Sequence, residues 1–292
     1  MMKKTKDLLN KKRSIPEYIF FILMFLFLTI WSIIIIYMLL WTVVSSLKTN
    51  MEYVNSPLSL PAEPQFHNIS VALEKMVYNG VGFWGMFLNS MWYAGGGALI
   101  STFCVCTTGY IFAHYEFKGK AFLFNFIIFM MTLPIFGSLP SMYKLIYDLK
   151  LNDSYLYTVV TCIGGLNGTM LMTYGYYKGV AKEYRESVYI DGGNDFTAYL
   201  RIYFPMGKNI FVALSLLSFI SRWNDYETPI LYFDRLPGLA TGLRKFQLEI
   251  QYVANTPAYF AGALMVMLPV IIIFAFFSDK IIGQLHSGGL KG

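Results

Sequence analysis

Residues 177–204 read YKGVAKEYRESVYIDGGNDFTAYLRIYF and gather charged, polar and glycine residues between two long apolar stretches. Val180, Tyr184 and Val188 recur at i, i+4 and i+8, one stripe of a short helix, with Lys182, Glu183, Arg185 and Glu186 on its other faces. Asp191-Gly192-Gly193 interrupts the pattern, because paired glycines accept backbone angles that other residues resist. Asn194 or Asp195 is then placed to cap a second helix with its own apolar stripe, Phe196, Leu200 and Tyr203. Pro205 follows at the start of the next apolar stretch, where a missing N–H costs little. The chemistry on offer is attachment rather than catalysis. Two amphipathic helices on a glycine elbow lie on a membrane surface or fill a groove on a soluble protein, and periodicity alone does not choose.

Other reactive patterns fail on spacing. A phosphate-binding loop needs a glycine upstream of Gly-Lys-Ser/Thr, yet Gly119-Lys120 is followed by Ala121 and Gly207-Lys208 by Asn209, without that glycine. The chain is therefore expected to hydrolyse no ATP. His67, His114 and His286 are scattered, and Cys104, Cys106 and Cys162 lie inside apolar runs, where they read as small buried hydrophobes. No metal site, no bound cofactor and no nucleophile–base pair is expected.

The elements that must carry the elbow are set by composition. Of 292 residues, 56% are hydrophobic and 14% charged, with mean hydropathy +0.50. Soluble domains carry about 25% charged residues, so the missing solvent is a bilayer and the fold class is an all-α polytopic membrane bundle. Stretches long enough to cross about 30 Å of hydrocarbon are expected at 19–46, 86–111, 121–142, 155–176, 205–224 and 258–279, about six spans. The fifth is the weakest, with Lys208 and Arg222 snorkelling at its ends. Residues 1–18 carry a basic run but precede an apolar segment too long for a signal peptide, and are read as a cytoplasmic N-terminus before a retained span. With that end inside, 15 of the 23 Lys and Arg fall on the same side, which places both termini and 177–204 in the cytosol. Residues 19–292 form one membrane domain, with the paired helices at 180–203 and a glycine-rich cytoplasmic tail at 286–292. The net charge of +6 follows this loop bias, and no basic face or motif indicates nucleic acid.

The same loop resembles the cytoplasmic signature of the permease subunits of ATP-binding-cassette importers: EAA, three residues, G, nine residues, I, one residue, LP. Glu186-Ser187-Val188 stands at EAA, Gly192 at G, Ile202 at I and Phe204-Pro205 at LP. The spacing matches throughout, and Glu186, Gly192, Ile202 and Pro205 are identical; Ser187 and Val188 replace the alanines and make the first short helix bulkier. Asp191-Gly192 also resembles the Asp-Gly common there. Ser46-Leu47-Lys48-Thr49, Phe87-Leu88-Asn89-Ser90, Trp223-Asn224-Asp225-Tyr226, Leu239-Ala240-Thr241-Gly242-Leu243 and the ending Ser287-Gly288-Gly289-Leu290-Lys291-Gly292 are similar, in that order, to the maltose-type second permease.

The resemblance implies an importer permease in a bacterial cell membrane, paired with a second permease as a heterodimer. Its partners would be two cytoplasmic ATPase subunits, which hold the ATP and Mg, and an extracytoplasmic sugar-binding protein, with lipid around the bundle. It implies that Glu186, Ser187, Val188, Asp191, Gly192, Ile202 and Pro205 form the coupling region, and that Ser287, Gly288, Gly289 and Lys291 reach between the ATPases. A sugar pathway needs hydrogen-bonding groups and aromatic faces, so Asn89, Asn167, Trp223, Asn224 and Asp225, and also Asn125, are candidate lining residues. Interhelical hydrogen bonds and an interfacial Trp anchor are the plainer readings. Close packing is expected at Gly95-Gly96-Gly97 and Gly164-x-x-x-Gly168, and kinks at Pro134 and Pro269. The alternatives are an importer of another solute, or half of an ion-coupled transporter, which would favour ionisable groups near the midplane.

Overall fold

The computed structural model describes residues 15–133, 137–253 and 255–287, with side chains placed for all of these except 251–253 and 278–287. Among the described residues there is helix, turn and loop, plus an isolated antiparallel bridge between Tyr78 and Val81.

Helix α1 (Ile15–Ser46) is apolar on every side, and none of its most apolar window is buried. Its 32 residues run about 48 Å, longer than the hydrocarbon layer, so lipid or another protein must cover it. At its end Lys48 is fully buried and its Nζ donates to the carbonyls of Ser56 and Pro57, each at 2.9 Å. Asn68 donates to the carbonyls of Ser46 and Lys48, and Thr49 and Glu52 form a reciprocal cap on α2 (Asn50–Asn55). The Ser46–Thr49 stretch therefore folds the long loop back onto α1 and α3 (His67–Lys75).

Helix α4 (Phe83–His114) runs unbroken through a π-turn at Met91–Gly96. It packs against α8 (Gly168–Lys178) and α11 (Lys208–Trp223). The last long helix, α14 (Thr256–Ser287), packs against α1, α3, α11 and α13 (Leu239–Val253), which follows α11 through the short α12 (Glu227–Tyr232). Where α3, α4, α11, α13 and α14 meet lies the main core, built on Met76, Met86, Trp223, Leu239 and Phe246. Pro269 sits inside α14 without ending it.

All six apolar stretches form helix, but two do so in pieces. The first, second and sixth are α1, α4 and α14. The third yields α5 (Lys120–Thr132) and α6 (Leu139–Asp148), separated by a left-handed Gly137 at φ +75°; Pro134 lies outside the described residues. The 13 residues of α5 reach only about 20 Å. The fourth yields α7 (Leu156–Cys162) and α8, parted at residues 163–167. Among the described residues, three helices are long and apolar enough to cross a membrane, or four when a bent pair is counted as one span. The second member of that pair, α11, is the fifth stretch, with Lys208 and Arg222 in its first and last turns; α10 (Asp195–Met206), which meets it at 73°, falls almost wholly in the 177–204 loop. The expected approach at Gly164-x-x-x-Gly168 holds only at Gly168, where a Cβ would lie 2.7 Å from the end of the Met131 side chain on α5, since the pair flanks a break rather than one helix face. A Cβ on Gly164 would meet open space, whereas one on Gly165 would strike the Thr108 hydroxyl and lie 3.0 Å from the Cys104 carbonyl oxygen.

Candidate functional site

The elbow forms because each of its ends is capped. Helix α9 (Glu183–Ile190) closes with Gly192 at φ +77°, its N–H donating to the Tyr189 carbonyl at 3.0 Å, while Gly193 N–H reaches the Val188 carbonyl at 2.8 Å. Those two bonds are the Schellman arrangement, and it requires a left-handed residue where Gly192 stands. Asn194, rather than Asp195, caps α10: its side chain accepts from Thr197 N–H at 2.9 Å.

Packing corrects both expected stripes. Val188 is buried, with Val180 half-buried, but Tyr184 is exposed. On α10 a π-turn at Tyr199–Tyr203 shifts the register, so Ala198, Tyr199 and Tyr203 face inward while Phe196 and Leu200 face out. Tyr199 and Tyr203 join Cys106, Tyr110 and Tyr177 in an aromatic cluster that seats the elbow on α4 and α8. Ile202 packs half-buried on this cluster, and Pro205 stands exposed in the last turn of α10. Glu186, Ser187 and Asp191 are exposed; Ser187 Oγ donates to the Tyr184 carbonyl, and Asp191 is the C-cap of α9. Two large apolar side chains crown the elbow in the open, Ile190 at 86% exposure and Phe196 at 70%.

Arg185, which sequence reasoning passed over as one charge on an outer face, ties the elbow to the bundle. Its Nε donates to Asp195 at 3.0 Å, one Nη donates to the His114 carbonyl at the end of α4, and the guanidinium stacks 4.1 Å over the Tyr115 ring. Tyr189 donates its hydroxyl to the same Asp195 carboxylate. Partial burial works against the charge on Asp195. Hydrogen bonds from Tyr115 and Tyr189 and the nearby Arg185 outweigh that burial and hold its carboxyl below the usual range.

The second feature is a groove of about 540 Å³, partly open, between α4, α8 and α11. From α11 and the turn after it come Leu214, Ser218, Ser221, Arg222 and Asp225. Their spacing is i, i+4, i+7, i+8 and i+11, one face of a helix. Helix α4 contributes Tyr93, Ser101 and Thr102, and Asn167 and Thr169 close the wall at the start of α8. This polar stripe was visible in the sequence as serines and a charged pair recurring within an apolar helix. Of the predicted lining residues, the groove gathers Asn167, which also caps α8, and Asp225. Asn89 is held on both sides, donating to the Pro237 carbonyl and accepting from the Tyr155 hydroxyl. Trp223 is 1% exposed, donates to the Val266 carbonyl and stacks on Phe219, so it is core rather than an interfacial anchor. Asn224 is exposed and bonds back to the Ile220 carbonyl, and Asn125 lies away from the groove beside Lys120 and Tyr174. Gly97 has a clear use: a Cβ there would crowd the Arg222 side chain at 3.2 Å and Thr158 at 3.1 Å.

The predicted ATPase contacts Gly288, Gly289 and Lys291 lie outside the described residues, and Ser287 is described only as the last residue of α14. Among the described residues no group of His, Cys, Asp and Glu could hold a metal ion.

Comparison with known proteins points the same way. The chain is 24% identical over 90% of its length to the diacetylchitobiose uptake system permease protein of Streptomyces coelicolor, of which 87% is covered. It is 26% identical to the arabinooligosaccharides transport system permease protein of Bacillus subtilis, covering 96% of this chain and 99% of that one. The galactooligosaccharides transport system permease protein of the same organism is also 26% identical, over 96% and 98% of the two chains. Among solved structures, a bacterial ABC transporter involved in the import of the acidic polysaccharide alginate has a chain of the same fold, with a TM-score of 0.74 at 21% identity, covering 92% of this chain and 99% of that chain. The family model of the inner membrane components of binding-protein-dependent transport systems matches residues 106–280, more than half of the chain and inclusive of both the elbow and α11. By this match, which takes in the capped elbow and most of the groove wall, the chain belongs to the family of binding-protein-dependent transport system inner membrane components.

Proposed function

We propose that this chain is one of two permease subunits of an ATP-driven importer of oligosaccharides in a bacterial cell membrane. The observation that carries the proposal is the elbow at 183–206: a rigidly capped turn, seated on aromatic residues, that presents Ile190 and Phe196 to solvent. Two large, strongly exposed apolar side chains flanking a capped turn suit insertion into a groove on a partner, and the exposed Glu186 and Asp191 supply a polar rim. The partner that fits is an ATPase subunit, two of which hold the ATP and Mg that this chain has no motif to bind. Sugar as cargo rests on the relatives, whose names specify diacetylchitobiose, arabinooligosaccharides and galactooligosaccharides. The hydroxyl-lined groove supports it. That groove is partly open, which suits a pathway completed by a second permease, with an extracytoplasmic binding protein delivering solute to the outer loops. The tail after Ser287 is assigned to the ATPase pair on sequence resemblance.

Copurification tests the reading. Tagged chain extracted in mild detergent should bring down an ATPase subunit, and Glu186→Arg should weaken that recovery by reversing charge at the rim. A pull-down that recovers no ATPase from wild type would remove the elbow's proposed role.

A further inference from the structure

We propose that Arg222 and Asp225 form a saccharide subsite in the groove and set its preference for neutral sugar over acidic sugar. This rests on the import reading above and adds the residues and the charge class. Arg222 lies in the last turn of α11 with its side chain laid across Gly97, midway along α4. Its guanidinium stands 5.5 Å from the Tyr93 ring centroid, and among the described residues it has neither a hydrogen-bond acceptor nor an ion-pair partner for its side chain. A half-buried cation on the wall of a partly open groove, with no protein acceptor, keeps its donors for a ligand, and ionisable groups that face such cavities in membrane bundles mark substrate pathways. The neighbouring anion is not its partner. Asp225 turns one carboxylate oxygen to the Tyr93 hydroxyl at 2.7 Å and the other to Thr228 N–H at 3.0 Å. Each carboxylate oxygen has two lone pairs, so both retain capacity to accept.

The wall therefore offers a fork of unused N–H donors one turn from a fixed, partly unused acceptor, with Ser218 and Ser221 on the same helix face. Adjacent hydroxyls of a sugar ring donate and accept together, which suits such a pair. The two charges cancel across the subsite. A neutral sugar satisfies both, whereas a uronate carboxylate gains from Arg222 but is opposed by Asp225. The groove volume of about 540 Å³ lies within the range of roughly 300–1,000 Å³ usual for small-molecule sites.

The test uses the complete importer in proteoliposomes, with permease pair, ATPase and binding protein. A neutral galacto-oligosaccharide and a uronate oligosaccharide of equal length compete for uptake. Arg222→Gln should lower neutral uptake roughly 10- to 100-fold, the loss of one charge-assisted hydrogen bond, and lower uronate uptake further still. Asp225→Asn should move the ratio the other way, toward the uronate. Opposite shifts of one ratio would not arise from a merely structural role. Selectivity unchanged in both variants while wild type imports the neutral sugar overturns this inference alone. A wild-type importer that moves neither sugar overturns the import reading and this inference with it. Should both charge variants fail to assemble, Ser221→Cys, nearly isosteric on the exposed wall, decides: the neutral sugar slows its labelling by a hydrophilic thiol reagent if the subsite exists, and unprotected labelling overturns it.

Discussion

At Gly192 the backbone takes φ +77° and donates its N–H to Tyr189. Proline fixes φ near −65° and has no N–H, so Gly192→Pro forbids the angle and deletes the bond together. The elbow should lose its shape while the spans, which contribute nothing to that turn, still insert. The expected outcome is normal membrane abundance with uptake falling by at least about tenfold, since proline at an incompatible backbone angle costs more than about 1 kcal/mol; uptake at the wild-type rate would rule out a fixed elbow in coupling. Asp195 adds a pH argument of definite sign. Its carboxyl is held below the usual range by Tyr115, Tyr189 and Arg185 against the effect of partial burial. Its contribution is therefore present above the ordinary carboxylate value near about 3.9 and is lost as pH falls through the lower folded value. The Arg185–Asp195 contact should accordingly persist unchanged between about pH 6 and 8, well above both values.

Gly207 joins α10 to α11 at 73° and is itself buried. A Cβ there would run into the Tyr177 hydroxyl and come within 3.2 Å of the Tyr203 carbonyl oxygen, both part of the aromatic seat of the elbow. Gly207→Leu should therefore push α10 off α8 and lower the thermal midpoint of the detergent-solubilised protein; overpacking of this kind costs about 1–3 kcal/mol. An unchanged midpoint would mean that the bend has slack. The bend also marks where sequence reading reached its limit. Apolar length located the long helices α1, α4 and α14 and the shorter α11, because burial in lipid is a property of composition. It could not tell a continuous helix from one interrupted at residues 163–167 or near Gly137, because a break between packed helices leaves hydropathy unchanged. The Phe196, Leu200, Tyr203 stripe assumed a period of 3.6 residues. The π-turn at Tyr199–Tyr203 inserts an extra residue into that count, and so the buried face passed to Tyr199. Capping chemistry, by contrast, is local: Gly192, and Asn194 as one of two candidates, were legible because each needs only its immediate neighbours.

Groove and elbow lie toward opposite ends of α11, whose 16 residues span about 24 Å. Any coupling between them must cross that distance through packed elements with two arrangements. The structure offers a direct route: Arg185 grips the end of α4 through the His114 carbonyl and Tyr115, and α4 carries Tyr93 and Thr102 to the groove wall. A second route runs from Tyr203 and Tyr177 into α8, which begins at the groove with Asn167 as its cap. If the first route transmits force, Arg185→Met keeps the aliphatic bulk on Tyr115 but removes the bonds to Asp195 and His114. The ATPase should still bind, because the exposed Ile190 and Phe196 are untouched. Sugar moved per ATP hydrolysed by the assembled importer should fall several-fold, in keeping with the roughly 0.5–2 kcal/mol that mutations along a coupling path shift. Arg185→Lys, which keeps the charge but not the planar fork, should recover only part of it. A ratio equal to wild type in Arg185→Met would show that the aromatic seat alone carries the motion of the elbow into the bundle.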